Sequence, residues 1–259
     1  MKIALGFAGQ PRFYRETFPY FKKHVLDVYD TDVYFHTWWS EEEVSLGMHL
    51  SETSSNSQFK IDTELPKNIV DLYKPKKYLI EKSFLLNEED PKEKFNERLK
   101  LLYPGEDTWN YITRGSSESY FHKYMSMEKL YNLIDWNIKY DWFLMCRFDG
   151  APIIIPDLTK LEKGKLYSFI DRWETFRPDF DNPIKWGPEG YVFYNEGGYI
   201  LDPELKELIN VRKYFSYYID KNKDTLFLRY TPEHIKSSHL KDMGWNNKLV
   251  TLERSELEF

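Results

Sequence analysis

The sequence predicts an α/β fold, a mixed, mainly parallel sheet flanked by helices, and three observations predict it. The chain opens with an apolar run, Lys2 to Phe7, then an amphipathic stretch and a second apolar run, the spacing of a βαβ unit. A long amphipathic segment, Ser116 to Asp135, leads into Asp141 to Phe148, a run apolar enough in its middle to be buried on both faces. That run ends in Arg147, Asp149 and Gly150, which brings a carboxylate to the carboxyl edge of the sheet, where open α/β sheets bind ligands.

Taken in order, Lys2 to Phe7 is the first strand. Its apolar run stops at Gly9-Gln10-Pro11-Arg12 without a cleavage region, so it reads as a strand and its turn, not as a secretion signal. Phe13 to Tyr29 carries Phe18, Phe21, Val25 and Leu26 at helical spacing, and Asp32 to His36 makes a second strand joined by a right-handed crossover. The chain therefore begins like a nucleotide-binding half-domain. From Thr37 the composition turns polar, and Ser51 to Ser57 has no period and reads as a loop. Thr63 to Tyr73 reads as a short helix and Lys77 to Lys82 as a third strand. Leu86 to Asn110, charged and interrupted by Pro91 and Pro104, reads as an excursion across the top of the sheet.

Ser116 to Asp135 is a helix whose stripe is Tyr120, Tyr124, Met127, Leu130 or Tyr131, and Ile134, with Ser116 or Ser117 as its cap. The Asp141 to Phe148 strand comes next, then Pro152 to Ile155 and a strand at Lys165 to Ile170. Beyond a Pro-, Asp- and Trp-rich stretch from Asp171 to Gly190, helices are predicted at Pro203 to Ile219 and Pro232 to Met243, and a closing strand at Lys248 to Glu253. There is no internal repeat.

A chain of 259 residues is long enough for a single well-cored α/β domain. Its formal charge of -6 argues against nucleic-acid binding, which relies on clustered Lys and Arg, though local basic groups can still hold one diphosphate. No uncharged run approaches the roughly 20 residues that span a bilayer, so a soluble protein is expected. The single cysteine, Cys146, reads as a small buried thiol and fits a reducing, cytoplasmic compartment. Aromatic residues make up 18% of the chain, and their faces suit nucleobases and sugars as well as a core.

Chemistry concentrates at the strand ends. Asp149, with Gly150 letting the backbone turn, can ligate a divalent cation that neutralises a leaving diphosphate, and Arg147 can pair with phosphate or hold Asp149. A strand-end ion pair gives the same pattern. Together with Met1 to Arg12, Asp32 to Trp39 and Tyr140 to Trp142, these residues resemble a family of GT-A-type glycosyltransferases of large DNA viruses, phages and bacteria, similar to the bacterial lipopolysaccharide core biosynthesis glycosyltransferases. The likeness is strongest over Met1 to Trp39 and Ser116 to Gly150.

The resemblance implies one GT-A-like (Rossmann-like nucleotide-binding) domain over residues 1–259, with a nucleotide-sugar donor half, 1–150, and an acceptor half, 151–259. It implies a UDP- or GDP-linked donor, a glycan, glycoprotein or lipid-linked acceptor, and Mn2+ or Mg2+ at Asp149; if the source is viral, the site of action is the host cytoplasm. Gly9, Gln10 and Arg12 stand where such enzymes place their first nucleotide-binding loop, and Arg147-x-Asp149 where they carry Asp-x-Asp, so this chain departs from the family at Arg147. His36 is placed to line the cleft or to sit buried as a structural histidine. Gly197, Gly198 and Tyr199 resemble an acceptor-side loop, where glycines permit close backbone approach; read without the resemblance they are a flexible turn before a strand.

Thr231-Pro232-Glu233-His234, followed by Leu240 to Gly244, more loosely resembles the GT-A helix whose first turn carries an acidic catalytic residue; Thr231 and Pro232 suit its start, and Glu233 is then the base of an inverting transfer or a group that merely favours the helix dipole. His234 and His239 are either metal ligands or exposed helical histidines. Two alternatives to a transferase are a glycan-binding or assembly module and a sugar nucleotidyltransferase. The second lacks a clear Gly-rich loop with Lys.

Overall fold

The first strand, β1 (Lys2–Ala8), pairs in parallel with β2 (Asp30–Trp38) on one side and β4 (Trp142–Cys146) on the other. In the computed structural model the described residues are 1–11, 14–41, 63–82, 117–148, 155–169, 198–209 and 249–252. The remaining strands are β3 (Lys77–Glu81), β5 (Leu166–Phe169), β6 (Gly198–Leu201) and β7 (Leu249–Leu252). They complete one seven-stranded sheet in the order β3-β2-β1-β4-β6-β5-β7. Strand β6 alone runs antiparallel to both neighbours, β4 and β5, so the sheet is mixed and mainly parallel, as the sequence predicts.

Side chains sort by the two-residue period of a strand onto two cores. Ile3, Leu5, Phe7, Val33, Phe35, Leu144 and Cys146 pack beneath α1 (Tyr14–Phe21) and α2 (Leu65–Tyr73). On the other face Ala4, Ala8, Tyr34, Phe143 and Met145 pack against Met127, Leu130 and Ile134 of α3 (Ser117–Leu133) and the loop after it. This confirms the stripe read from the sequence over its described part; Tyr120 and Tyr124 have no described side chain. Central strands covered on both sides have little use for polar residues, which is why β1 and β4 read as continuous apolar runs. Gly6 lets α3 lie close, because a Cβ there would come within 2.9 Å of both Leu130 Cδ2 and Phe143 Cε2.

Two predicted helices differ from the observed elements. The regular helix expected over Phe13 to Tyr29 is α1 followed by a π-helical segment, Lys22–Leu26. Pro19 lies inside α1 and has no N–H to donate, and past it the backbone takes the wider spacing, with Asp27 N donating to Lys22 O at 2.9 Å. Phe21 and Val25 still reach the core. The second is Pro203 to Ile219, which begins as a 3-10 segment, Pro203–Ile209, capped by buried Asp202 accepting from Glu204 N at 3.1 Å. Residues 210–219, the loop and excursion of 42–62 and 83–116, and the predicted helix at Pro232 to Met243 lie outside the described residues.

Candidate functional site

The topology places a crevice. From β1 the chain moves outward through β2 to β3, then returns to the opposite side of β1 as β4. Ligands of open α/β sheets bind beyond the carboxyl ends of the strands at such a reversal. Phe7 pairs with Cys146, so Gly9-Gln10 and Arg147-Phe148 leave the sheet side by side. These are two of the segments singled out from sequence. Strand β6 runs the other way, which brings its first residue, Gly198, opposite Cys146 at the same edge, with Tyr199 opposite Met145. Gly198 and Tyr199 are thus strand residues at the entry to β6, where a loop was expected.

Each wall of the crevice is anchored from below. Gly9 has φ +109°, a conformation that L side chains rarely adopt. Its N–H donates to Ser126 Oγ at 2.7 Å and, at 3.3 Å, to His36 O. Ser126 Oγ lies 2.7 Å from His36 Nδ1, and His36 Nε2 lies 3.0 Å from Glu81 Oε1, which also takes the Lys129 ammonium. An imidazole protonated at Nε2 satisfies the whole chain: Gly9 donates to Ser126, Ser126 to His36, and His36 to Glu81. Burial pushes the His36 pKa down from 6.5 to about 4, against the pull of Glu81, so the ring is neutral at neutral pH. Burial tends to raise the Glu81 pKa, but Lys129 and His36 outweigh it and hold the carboxyl below its usual value.

On the opposite wall Phe148 is fully buried and stacks on Phe7, with centroids 4.6 Å apart and planes inclined by 10°. Phe35 and Tyr73 meet its ring edge to face. Its carbonyl accepts from the buried Thr17 hydroxyl at 2.7 Å, while Tyr73 donates to Tyr14 O at 2.9 Å. Helices α1 and α2 therefore fix the residue that precedes Asp149. Cys146 is buried, and burial alone pushes its thiol up to about 12, so it is an inert core group, as expected from the sequence.

Of the site residues expected from sequence, Gly9, Gln10 and Arg147 sit at the rim of the crevice, the last two half-buried. His36 does not line it. The ring is 0% exposed with both nitrogens engaged, so it supports the Gly9 turn from beneath. Arg12, Asp149, Gly150, Gly197, Glu233, His234 and His239 lie outside the described residues. Among the described residues no group of three or more His, Cys, Asp or Glu could hold a metal ion.

Sequence reasoning missed Ser126, Glu81, Lys129 and Thr17. Ser126 leaves a faint signal, a hydroxyl four residues before Leu130 on the buried stripe of a helix. A separate open groove of about 790 Å³, lined by Trp39, Val70, Tyr78 and Ile80 among others, lies between α2 and the edge strand β3. Glu81, the last member of the His36 chain, also lines it. No helix among the described residues is long and apolar enough to cross a membrane.

No protein-family model matches the chain, and a search of curated proteins finds no match. Among solved structures the chain is similar to the galactosyltransferase LgtC in complex with donor and acceptor sugar analogs. That likeness has 14% identity and a TM-score of 0.43, and covers 98% of this chain and 73% of that one. An active-site mutant of LgtC is similar at 15% identity and a TM-score of 0.42, with 98% and 73% covered. At these scores the likeness adds no residue correspondence. A functional reading must rest on the strand order and the crevice.

Proposed function

We propose that this chain is a glycosyltransferase that moves a sugar from a UDP- or GDP-linked donor to a hydroxyl of a glycan, glycoprotein or lipid-linked acceptor. The observation that carries this reading is the reversal between β1 and β4, which puts the Gly9-Gln10 turn and the Arg147-Phe148 strand end on either side of one crevice. In this reading residues 1–150 form the donor half and 151–259 the acceptor half of a GT-A-like domain. Gln10 and Arg12 contact base and phosphate, and the Arg147 guanidinium pairs with the diphosphate, a role its fixed charge and forked donors suit.

Asp149 is the residue that would hold Mn2+ or Mg2+, and the cation would neutralise charge developing on the leaving diphosphate. In the transfer, the acceptor oxygen bonds to the anomeric carbon as the bond from that carbon to the diphosphate oxygen breaks. Glu233 takes the acceptor proton in an inverting reaction, and the nucleoside diphosphate departs with the electron pair. Gly197, Gly198 and Tyr199 bound the acceptor side.

The test is nucleotide release from UDP-, GDP-, CMP- and dTDP-sugars, with and without manganese, by wild type and Asp149→Ala. Release from one donor class that disappears in the variant supports the transferase and its nucleotide. Absence of release, together with no nucleotide binding by calorimetry, replaces it with a glycan-binding module. Loss of only the manganese dependence in Asp149→Ala would leave the diphosphate to Arg147.

A further inference from the structure

We propose that Ser126, held by His36, is a positioning residue for the nucleotide, acting by fixing Gly9 in the conformation that presents Gln10 to the crevice. This rests on the donor-site reading above. Ser126 is 0% exposed, on the sheet-facing side of α3, among Met127, Leu130 and Ile134. An apolar side chain would serve that packing better, since a buried hydroxyl or imidazole costs stability unless its hydrogen bonds are met. Both groups are satisfied in this structure. The Ser126 hydroxyl takes the Gly9 N–H at 2.7 Å and meets His36 Nδ1 at 2.7 Å, and His36 Nε2 closes on Glu81 at 3.0 Å.

A satisfied buried network of this kind specifies geometry more than it adds stability. The geometry specified is that of one peptide. Gly9 sits at φ +109° where β1 ends, and nothing lies within 4 Å of where its Cβ would be, so packing does not hold it there. The hydrogen bond to Ser126 is the short contact that selects this backbone state from those open to glycine; the bond to His36 O, at 3.3 Å, is weaker. Gln10 is the next residue, so its reach into the crevice is set by the Gly9 peptide. Because Gly9 N–H is already donated inward, recognition of the nucleotide at this turn falls to groups beyond Gly9.

Two readouts test the inference in the full chain. Amide exchange at Gly9, without ligand, is slow in wild type and is expected to accelerate at least about tenfold in Ser126→Ala, the equivalent of one lost hydrogen bond. Ser126→Thr, which keeps the hydroxyl, restores protection. In calorimetry with the nucleoside diphosphate that wild type binds, Ser126→Ala weakens binding by about tenfold and Ser126→Thr recovers most of it. Tyr140→Phe, at the far end of the sheet, loses a comparable hydrogen bond and serves as the control for general destabilisation, with its nucleotide Kd unchanged. Should Ser126→Ala fold poorly, His36→Gln breaks the same chain one link further on and is expected to weaken binding in the same direction.

Unchanged exchange at Gly9 in Ser126→Ala overturns the positioning role, whatever the protein binds. Unchanged nucleotide Kd in the same variant, with Gly9 exchange accelerated, overturns the link to the donor. If wild type binds none of UDP, GDP, CMP or dTDP, the donor-site reading itself fails and the inference falls with it. That outcome is distinct from the first two.

Discussion

Strand β2 carries a polar network at each end, and the two are built in opposite ways. At the amino edge Asp32 accepts from Lys76 at 2.8 Å and from the Tyr140 hydroxyl at 2.7 Å, and Lys2 lies 3.6 Å away. Lys2 and Lys76 both reach solvent, with side chains 31% and 40% exposed. At the carboxyl edge the Ser126 hydroxyl joins the Gly9 amide to a neutral His36 ring, both side chains fully buried, and only the far end of the chain, the Glu81–Lys129 pair, reaches solvent. Asp32, Tyr34 and His36 alternate along one face of the same strand, so the two networks lie on the same side of the sheet at opposite ends. Charges open to water are screened and hold loosely, whereas a buried neutral chain tolerates only one geometry. In the proposed transferase, the end of the sheet that the donor approaches is the end where geometry is fixed.

The contrast between the edges is tested most severely at Phe148. Replacing it with Ala should cost about 3–5 kcal/mol, as expected for truncating a fully buried aromatic, read as a lowered denaturant midpoint with unchanged m-value. A loss under about 1 kcal/mol would mean that the carboxyl edge is not the rigid one. Acid comes next. The His36 pKa lies below its ordinary 6.5, at about 4, so the unfolded chain binds a proton that the folded chain refuses. Stability is therefore expected to be intact above pH 6.5, to fall as pH drops from 6.5 to about 4, and to level off below that as far as His36 is concerned. The size of this loss is on the order of 3 kcal/mol, and it should vanish in His36→Gln.

Asp32 behaves differently. Burial alone would raise its pKa, but Lys76 and Tyr140 hold it below 3.8, so the amino edge gives way only as pH falls beneath the ordinary carboxylate range. Urea midpoints across pH 7 to 3 would separate the two edges. A third, smaller effect concerns Thr17→Val, which keeps the shape but deprives Phe148 O of its donor. It should cost about 1–3 kcal/mol and, in the proposed transferase, lower kcat by disturbing the residue before Asp149. Tyr140→Phe should cost about 1 kcal/mol without altering nucleotide binding. Smallest of all, Lys76→Ala should change stability little, and any change should fade with added salt.

Legibility in the sequence divides along similar lines. Strands β1 to β4 and helices α2 and α3 were legible because each carries its own signal, an unbroken apolar run or a helical stripe bounded by polar turns. Strand β6 was legible only as a strand to follow a glycine turn. Gly198-Tyr199-Ile200-Leu201 is too short to fix its own bounds, and its place between β4 and β5 comes from pairing with residues distant in sequence. The π-helical segment after Pro19 was hidden, because the apolar spacing of Phe18, Phe21 and Val25 satisfies a regular helix equally well. At the site, Gly9, Gln10 and Arg147 were visible as strand-end residues. Ser126 and Thr17 were not, since a single hydroxyl in a helix acquires meaning only from the backbone group it meets across 117 or 131 residues of chain.

The stack of Phe7 on Phe148 sets a limit on how the crevice can work. One ring belongs to β1 and the other comes just after β4, so the floor between the two strands is pinned at ring-contact distance. Such a floor cannot spread like a hinge to admit a bulky guest. In the proposed donor site a guest must therefore be seated above this floor, against the Gly9-Gln10 and Arg147-Phe148 strand ends. In that reading selectivity for size belongs to whatever lies above the floor, and the sheet serves as the anvil beneath it.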